Sequence, residues 1–403
     1  MSTKFRDDIQ GLRGYALTLI VMGHAGIHWF PGAFLAVDIF FVISGFLITG
    51  IILRQQESGK FSYLSFIARR VRRLMPAAVV TVFLTMIAGY FVYSSSDYEA
   101  VGKSALAAIF SVVNILFWRE TGYFDAAVYT KPFLHYWSLS VEEQFYLVWP
   151  IILVVAARFG KRALATAAVI SIFVVSLLGA ELIAYDRNPA AAFFLTPFRA
   201  FEFMIGAIVA VTGVKVTAKY WRELVYLAGL VLMFGSMYIF NEYDRMPGYL
   251  SLFALVGCAM LIAAPGAKLS VLMLPRPVVY LGNASYSIYL VHWPITAILK
   301  YTVAVELPVT LQWAAVIAAY PVGLLLYHFV EKPFRSEKTW QVFGNFAKPA
   351  GIGGLAIVSA LAVSIWLGDG FRFRYPNATG VEFDPTAMRE LTTDYRDANN
   401  LKP

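Results

Sequence analysis

Residues 15–30 read YALTLIVMGHAGIHWF, a run apolar enough for a bilayer that nonetheless carries histidines at positions 24 and 28. A helix rises about 1.5 Å per residue, so about 20 such residues cross a hydrocarbon core of about 30 Å. Runs of this kind recur at 12–30, 34–53, 74–93, 102–118, 139–157, 163–184, 197–213, 223–240, 248–264, 281–300, 308–330 and 350–367. Hydrophobic residues make up 59% of the 403 positions and charged residues 14%, where soluble domains carry about a quarter charged. In lipid each backbone polar group needs a partner within its own segment, so such runs become helices. The expected fold is all-α, a polytopic integral membrane protein. The net charge of +8 then reports basic loops on one side of the membrane and gives no reason to expect nucleic acid. The lone Cys258 excludes an intrachain disulfide. The charged start KFRDD resembles that of a secretory signal. The run after it is too long, holds two histidines and lacks a small-residue cleavage site, so it reads as a retained first helix.

Charge orders the runs. If all of them cross, several basic loops fall outside. Demoting 102–118, the least apolar, to a re-entrant or interfacial helix leaves about eleven transmembrane helices. The basic stretches 69–73, 158–162, 215–222, 268–276 and 331–338 then share the cytoplasmic face. The N-terminus lies inside and the C-terminus outside. The expected organisation is a transmembrane domain at 1–340, an additional helix at 341–367 and a polar extracytoplasmic linker at 368–403.

Ionisable groups inside apolar runs are costly and mark chemistry. Helical rise puts His24 about 9 Å below the outer end of the first helix. It puts Asp38 about 8 Å into the second, and Glu142 about 8 Å past Trp137 in the fourth retained run. A histidine beside a carboxylate holds one tautomer and gains basicity, as a general base acting on a hydroxyl requires. His24 is therefore the expected base and Glu142 its partner. Glu143, about 100° round the same helix, is a secondary catalytic candidate. Asp38 either joins this layer or orients its own helix. Arg199 and Glu202, spaced i, i+3, either neutralise each other or form part of an acceptor site. His135, expected just outside the membrane, binds acceptor or caps a helix. Trp137, with Tyr136, Tyr146 and Trp149, reads first as an interfacial belt and second as a sugar-stacking surface. His292, just ahead of Pro294, reads as structural. Arg13 precedes His24 by about 16 Å of helix. Arg69 and Arg73 share one helical face on that inner side, extended by Arg70 and Arg72. Guanidinium forks suit phosphates, and such a cluster equally suits lipid headgroups. The five histidines lack metal-ligand spacing, so no metal is expected.

Several stretches carry a resemblance. They are FRDDIQGLRGYALTLIVMGHAG at 5–26, DIFFVISGFLIT at 38–49, RRVRRLMPA at 69–77 and the pair Tyr123-Phe124. HYWSLSVEEQFYLVWP at 135–150, RAFEFMIGA at 199–207, SYSIYLVHWP at 285–294 and VEKPFR at 330–335 follow in order. Together they resemble the membrane-bound acyltransferase-3 family, the O-antigen and envelope-polysaccharide O-acetylase type. The resemblance implies acyl transfer, usually acetyl, from cytoplasmic acyl-coenzyme A to a hydroxyl of an extracytoplasmic glycan in a bacterial inner membrane. It assigns donor binding to the Arg69–Arg73 element. The last helix and tail resemble the family's long form, in which an SGNH-type hydrolase-like domain follows. No nucleophile block of that domain appears here, so the chain is expected to continue into one or to work with a separate partner.

Two other classes fit buried His, Glu and Arg. A proton-coupled transporter of a small polar solute would use them along its pathway, but no inverted repeat is visible and the charges gather at two ends. Proton-linked uptake without acyl-coenzyme A would single it out. A scaffold recruiting a soluble partner would tolerate His24→Ala.

Overall fold

All regular elements among the described residues are helical. The computed structural model describes residues 6–120, 130–159, 162–303 and 307–374; the Tyr123-Phe124 pair and the tail from 375 lie outside the described residues. Among the described residues eight stretches are long and apolar enough to cross a membrane: Leu35–Glu57, Tyr63–Val92, Tyr136–Ala156, Ala163–Leu182, Pro189–Thr212, Lys219–Ile239, Val309–Arg335 and Pro349–Leu367. The chain is a multi-pass membrane protein. Three further apolar helices accompany these: Asp7–Ala25 and Ser285–Val303, of 19 residues each, and the shorter Tyr249–Ala263.

Helix α1 (Asp7–Ala25) starts five residues before its apolar run, because Asp7 and Asp8 lie in the first turn, where helix N-termini favour negative charge. It stops at Gly26, whose φ of 98° is left-handed and whose missing Cβ leaves room for the Gln312 amide. His24 therefore sits in the last turn rather than 9 Å below a helix end at residue 30. Helix α2 (Leu35–Glu57) returns. Helix α3 (Tyr63–Val92) begins eleven residues ahead of its apolar run, with the Ser62 hydroxyl capping the Ser65 amide. The four arginines at 69–73 are thus part of α3 itself.

The run 102–118 is broken. Helix α4 (Ser95–Ile109) and helix α5 (Val113–Glu120) meet at Ser111, with φ of 55°. At about 1.5 Å per residue neither piece crosses a bilayer. The break is held from helix α6 (Tyr136–Phe159). Ser111 donates to Glu143 at 2.8 Å, and Gln144 donates to the Ser111 carbonyl at 2.9 Å.

Helix α7 (Arg162–Leu178) leads to helix α8 (Thr196–Thr212), which packs along α2. Asp38 meets Arg199, and seven residues on in both helices Gly45 meets Gly206. The two helices therefore run parallel. Added Cβ atoms there would sit 1.9 Å from the carbonyls of Phe203 and Val42 respectively, so only glycine permits this approach. A parallel pair requires α3, α6 and α7 between them, with α4 and α5 not crossing, as the loop charges demand.

Helix α9 (Lys219–Ile239) packs against helix α10 (Leu252–Ala263). Helix α11 (Arg276–Asn283) packs on α1 and leads to helix α12 (Ser285–Val303), buried without interruption from Ala284 to Pro294. Helix α13 (Val309–Leu326) covers α12, and helix α14 (Glu337–Leu367) packs against α4 and α3. Helices α1, α2, α3, α6 and α12 carry most of the candidate site.

Candidate active site

Two polar clusters lie at opposite ends of α1. The first lines a cavity of about 140 Å3 between α1, α2, α3, α6 and α12. Arg13, Arg70 and Arg73 face it with one carboxylate, Glu142. Arg13 donates to Ser285 Oγ at 2.7 Å, while its Nε and that of Arg73 are buried without a hydrogen-bond partner. Glu142 accepts hydrogen bonds from Ser44 Oγ and Tyr146 OH. Arg70 stacks over the Tyr146 ring at 5.1 Å. Three guanidiniums against one carboxylate leave surplus positive charge, and buried donors without acceptors are costly. Such a set suits a phosphate-bearing ligand.

This arrangement departs from two expectations. Glu142 does not partner His24: it belongs to the arginine cavity. Trp137, the reference for its depth, is packed inside the protein and is no exposed interfacial marker. Arg69 does not line the cavity either. It is exposed, with its Nη2 3.5 Å from Gln55 Oε1. Arg70 and Arg73 turn inward because they continue the buried face of Phe66 and Ala77.

The second cluster is imidazole on imidazole. His24 Nδ1 lies 2.9 Å from His292 Nε2, and the two ring planes are 7° apart. His292 Nδ1 lies 2.6 Å from the Tyr289 carbonyl. His135 directly precedes α6 and is buried, and its Nε2 lies 3.0 Å from the Leu290 carbonyl. That carbonyl is available because Pro294, four residues on, has no N–H to give it. The contact fixes the His135 proton on Nε2, and its buried Nδ1 has no partner. The Trp293 indole stands 4.8 Å from the His24 ring, edge on.

Tyr289 joins the two clusters. It lines the cavity, and its ring centroid is 5.0 Å from that of His292 and 5.4 Å from that of His135. Its hydroxyl is 2.7 Å from Ser138 Oγ and donates to the His135 carbonyl at 3.2 Å. The cavity thus ends on one aromatic side chain, with the histidines behind it.

The remaining candidates gather elsewhere. Arg199 donates to Asp38 at 2.5 Å and its Nε is 3.1 Å from Glu202 Oε1, all three buried. Phe41, Trp137 and Phe193 surround the guanidinium at 5.8, 5.2 and 5.7 Å. The group locks α2 to α8. Asp38 is therefore not beside His24, and Arg199, Glu202 and Trp137 offer no surface to an acceptor. Glu143 is turned to the Ser111 break, away from both clusters. Sequence reasoning missed Tyr289, read Tyr146 as part of an aromatic belt rather than as a partner of Glu142, and read His292 as structural. The Tyr289-x-x-His292 spacing, which lets a ring N–H reach a carbonyl in the preceding turn, is a signal that was present. Among the described residues no group of three or more His, Cys, Asp or Glu could hold a metal.

Comparison with known proteins converges on one family. A family model described as "Acyltransferase domain" matches residues 6–328. The chain is 32% identical over 351 residues to the putative peptidoglycan O-acetyltransferase YrhL of Bacillus subtilis, covering 82% of this chain and 55% of that protein. It is 31% identical over 364 residues to the peptidoglycan O-acetyltransferase OatA of Listeria monocytogenes, covering 86% and 58%. The O-acetyltransferase OatA of Staphylococcus aureus is 27% identical over 372 residues, covering 87% and 60%. The chain thus spans little more than half the length of these curated relatives. No solved structure matches it. With eight ordered motifs, helical membrane-spanning elements and a family model running from the first described helix into α13 and its continuation, the chain belongs to the membrane-bound acyltransferase-3 family.

Proposed function

We propose that the chain is a membrane O-acyltransferase. It moves an acyl group, acetyl first among them, from cytoplasmic acyl-coenzyme A to a hydroxyl of an extracytoplasmic cell-envelope polysaccharide. The observation that carries this reading is the joining of an arginine-lined cavity to a histidine cluster through the single ring of Tyr289. Arg13, Arg70 and Arg73 hold the donor's phosphates. The flexible thiol arm lies along the cavity past Ser44 and Ser138, and displacement of the Tyr289 ring admits the thioester to the far side. There His24 Nε2 takes the proton of the acceptor hydroxyl as its oxygen attacks the thioester carbonyl. The C–S bond breaks, and the proton passes from His24 to the leaving thiolate. An ester and free coenzyme A result.

The arginine end faces the cytoplasm in a bacterial inner membrane, with the N-terminus inside and the C-terminus in the periplasm. The acyltransferase unit occupies 1–340, followed by an added helix at 341–367 and a linker at 368–403. Delivery is direct to the glycan or through an SGNH-type domain or partner. Peptidoglycan, named for the Bacillus and Listeria relatives, is the first acceptor to examine.

Mass spectrometry of envelope glycans, with and without the gene, tests this. The expected result is loss of base-labile acyl esters from one glycan on deletion and their return with the intact gene. Identical ester content in both strains contradicts the reading.

A further inference from the structure

The histidine end contains a base with no carboxylate behind it. Among the described residues no carboxylate forms an ion pair or hydrogen bond with His24. Its ring nevertheless has a defined proton. A backbone carbonyl can only accept, so the 2.6 Å contact from His292 Nδ1 to the Tyr289 oxygen places the His292 proton on Nδ1. His292 Nε2 is then a bare lone pair. The 2.9 Å contact to His24 Nδ1 must therefore be a hydrogen bond that His24 donates. The near-coplanar rings, 7° apart, aim that lone pair along the N–H. The remaining nitrogen of His24, Nε2, is left unprotonated.

We propose that His292 is the positioning residue of this site. With the Tyr289 carbonyl it forms an imidazole relay that holds His24 in the Nδ1–H tautomer and presents Nε2 as the base. The relay does the orienting work that a buried aspartate does in a Ser-His-Asp triad, without placing a second charge in the membrane. Its position follows from the sequence of α12. Tyr289 and His292 are one turn apart, and burial from Ala284 to Pro294 holds the ring with no water to compete for the carbonyl. The consequence for turnover rests on the function proposed above; the tautomer does not.

Nitrogen-15 NMR of the full chain, labelled at histidine and held in bilayers, reads the tautomer directly. The His24 signals are assigned by their loss in His24→Ala. The expected result is Nδ1–H for neutral His24 in the unmodified protein. His292→Ala should move it to Nε2–H, the form favoured by a free imidazole. His292→Gln should restore Nδ1–H, because a glutamine amide can donate to the Tyr289 carbonyl while its oxygen accepts from His24. Turnover should fall ~100-fold in His292→Ala with KM for acyl-coenzyme A within ~2-fold, and recover to within ~10-fold in His292→Gln. An Nε2–H His24 in the unmodified protein, or a tautomer unmoved by His292→Ala, overturns the relay. An Nδ1–H His24 that responds to His292→Ala, in a protein that transfers no acyl group, sustains the relay and refutes the proposed function.

Discussion

His24→Ala should reduce acyl transfer about 10³-fold while leaving acyl-coenzyme A binding within about 2-fold. The two halves of this expectation come from separate parts of the molecule. His24 stands in the last turn of α1, about 16 Å along the helix from Arg13, and it does not line the arginine cavity. Removing its ring leaves the three cavity guanidiniums and Glu142 as they are. What disappears is the unprotonated imidazole nitrogen that the relay leaves facing away from its own partners. A hydroxyl attacking a thioester without that acceptor must expel its proton into a site bounded by Trp293 and the carbonyl-bound His292. Proton transfer by a placed side chain contributes about 10² to 10⁴ in rate. The check is equilibrium binding of acyl-coenzyme A beside single-turnover transfer in the same variant. Loss of binding along with transfer would place His24 in the donor site instead.

Arg73→Ala should weaken acyl-coenzyme A binding about 50-fold, and Arg69→Ala less than 3-fold, although both belong to one i, i+4 pair. Arg73 faces the cavity with its Nε buried and unpartnered, poised for an acceptor that the protein does not supply. Arg69 lies on the exposed side of α3, with Gln55 at 3.5 Å. Removing a buried guanidinium from a phosphate costs about 2 to 5 kcal/mol, while an exposed arginine near a headgroup layer adds little. Calorimetric titration of both variants separates the two roles. Equal losses would mean that the patch acts by general charge and that the cavity is not the donor site.

The fold class was legible because a bilayer imposes it. Repeated apolar runs have one hydrogen-bonded solution, and loop charge identified the run that does not cross. Helix ends were not legible from hydropathy alone. Asp7, Asp8 and the Ser62 cap extend α1 and α3 beyond their apolar runs, and such polar residues lower the hydropathy that locates a helix. The arginine face was misread for a related reason. The pair at 69 and 73 obeys helical spacing, but the buried face of α3 passes through Phe66, Arg70, Arg73 and Ala77. Those apolar neighbours decide which arginines turn inward. Glu142 was misplaced by treating Trp137 as an interfacial marker. That tryptophan instead covers Arg199 inside the protein, a contact between α6 and α8 that no local pattern encodes. The pairing of His24 with His292 joins residues 268 positions apart. Only the packing of α12 against α1 reveals it.

The proposed transfer requires donor and acceptor sites on opposite faces of one membrane, with a single path between them. Sealed vesicles holding the protein in one orientation, with labelled acetyl-coenzyme A supplied to the arginine face and glycan acceptor trapped at the histidine face, test it directly. The expected result is labelled ester on the trapped glycan, reduced to background in His24→Ala. Ester formation only when donor and acceptor share a face would contradict it.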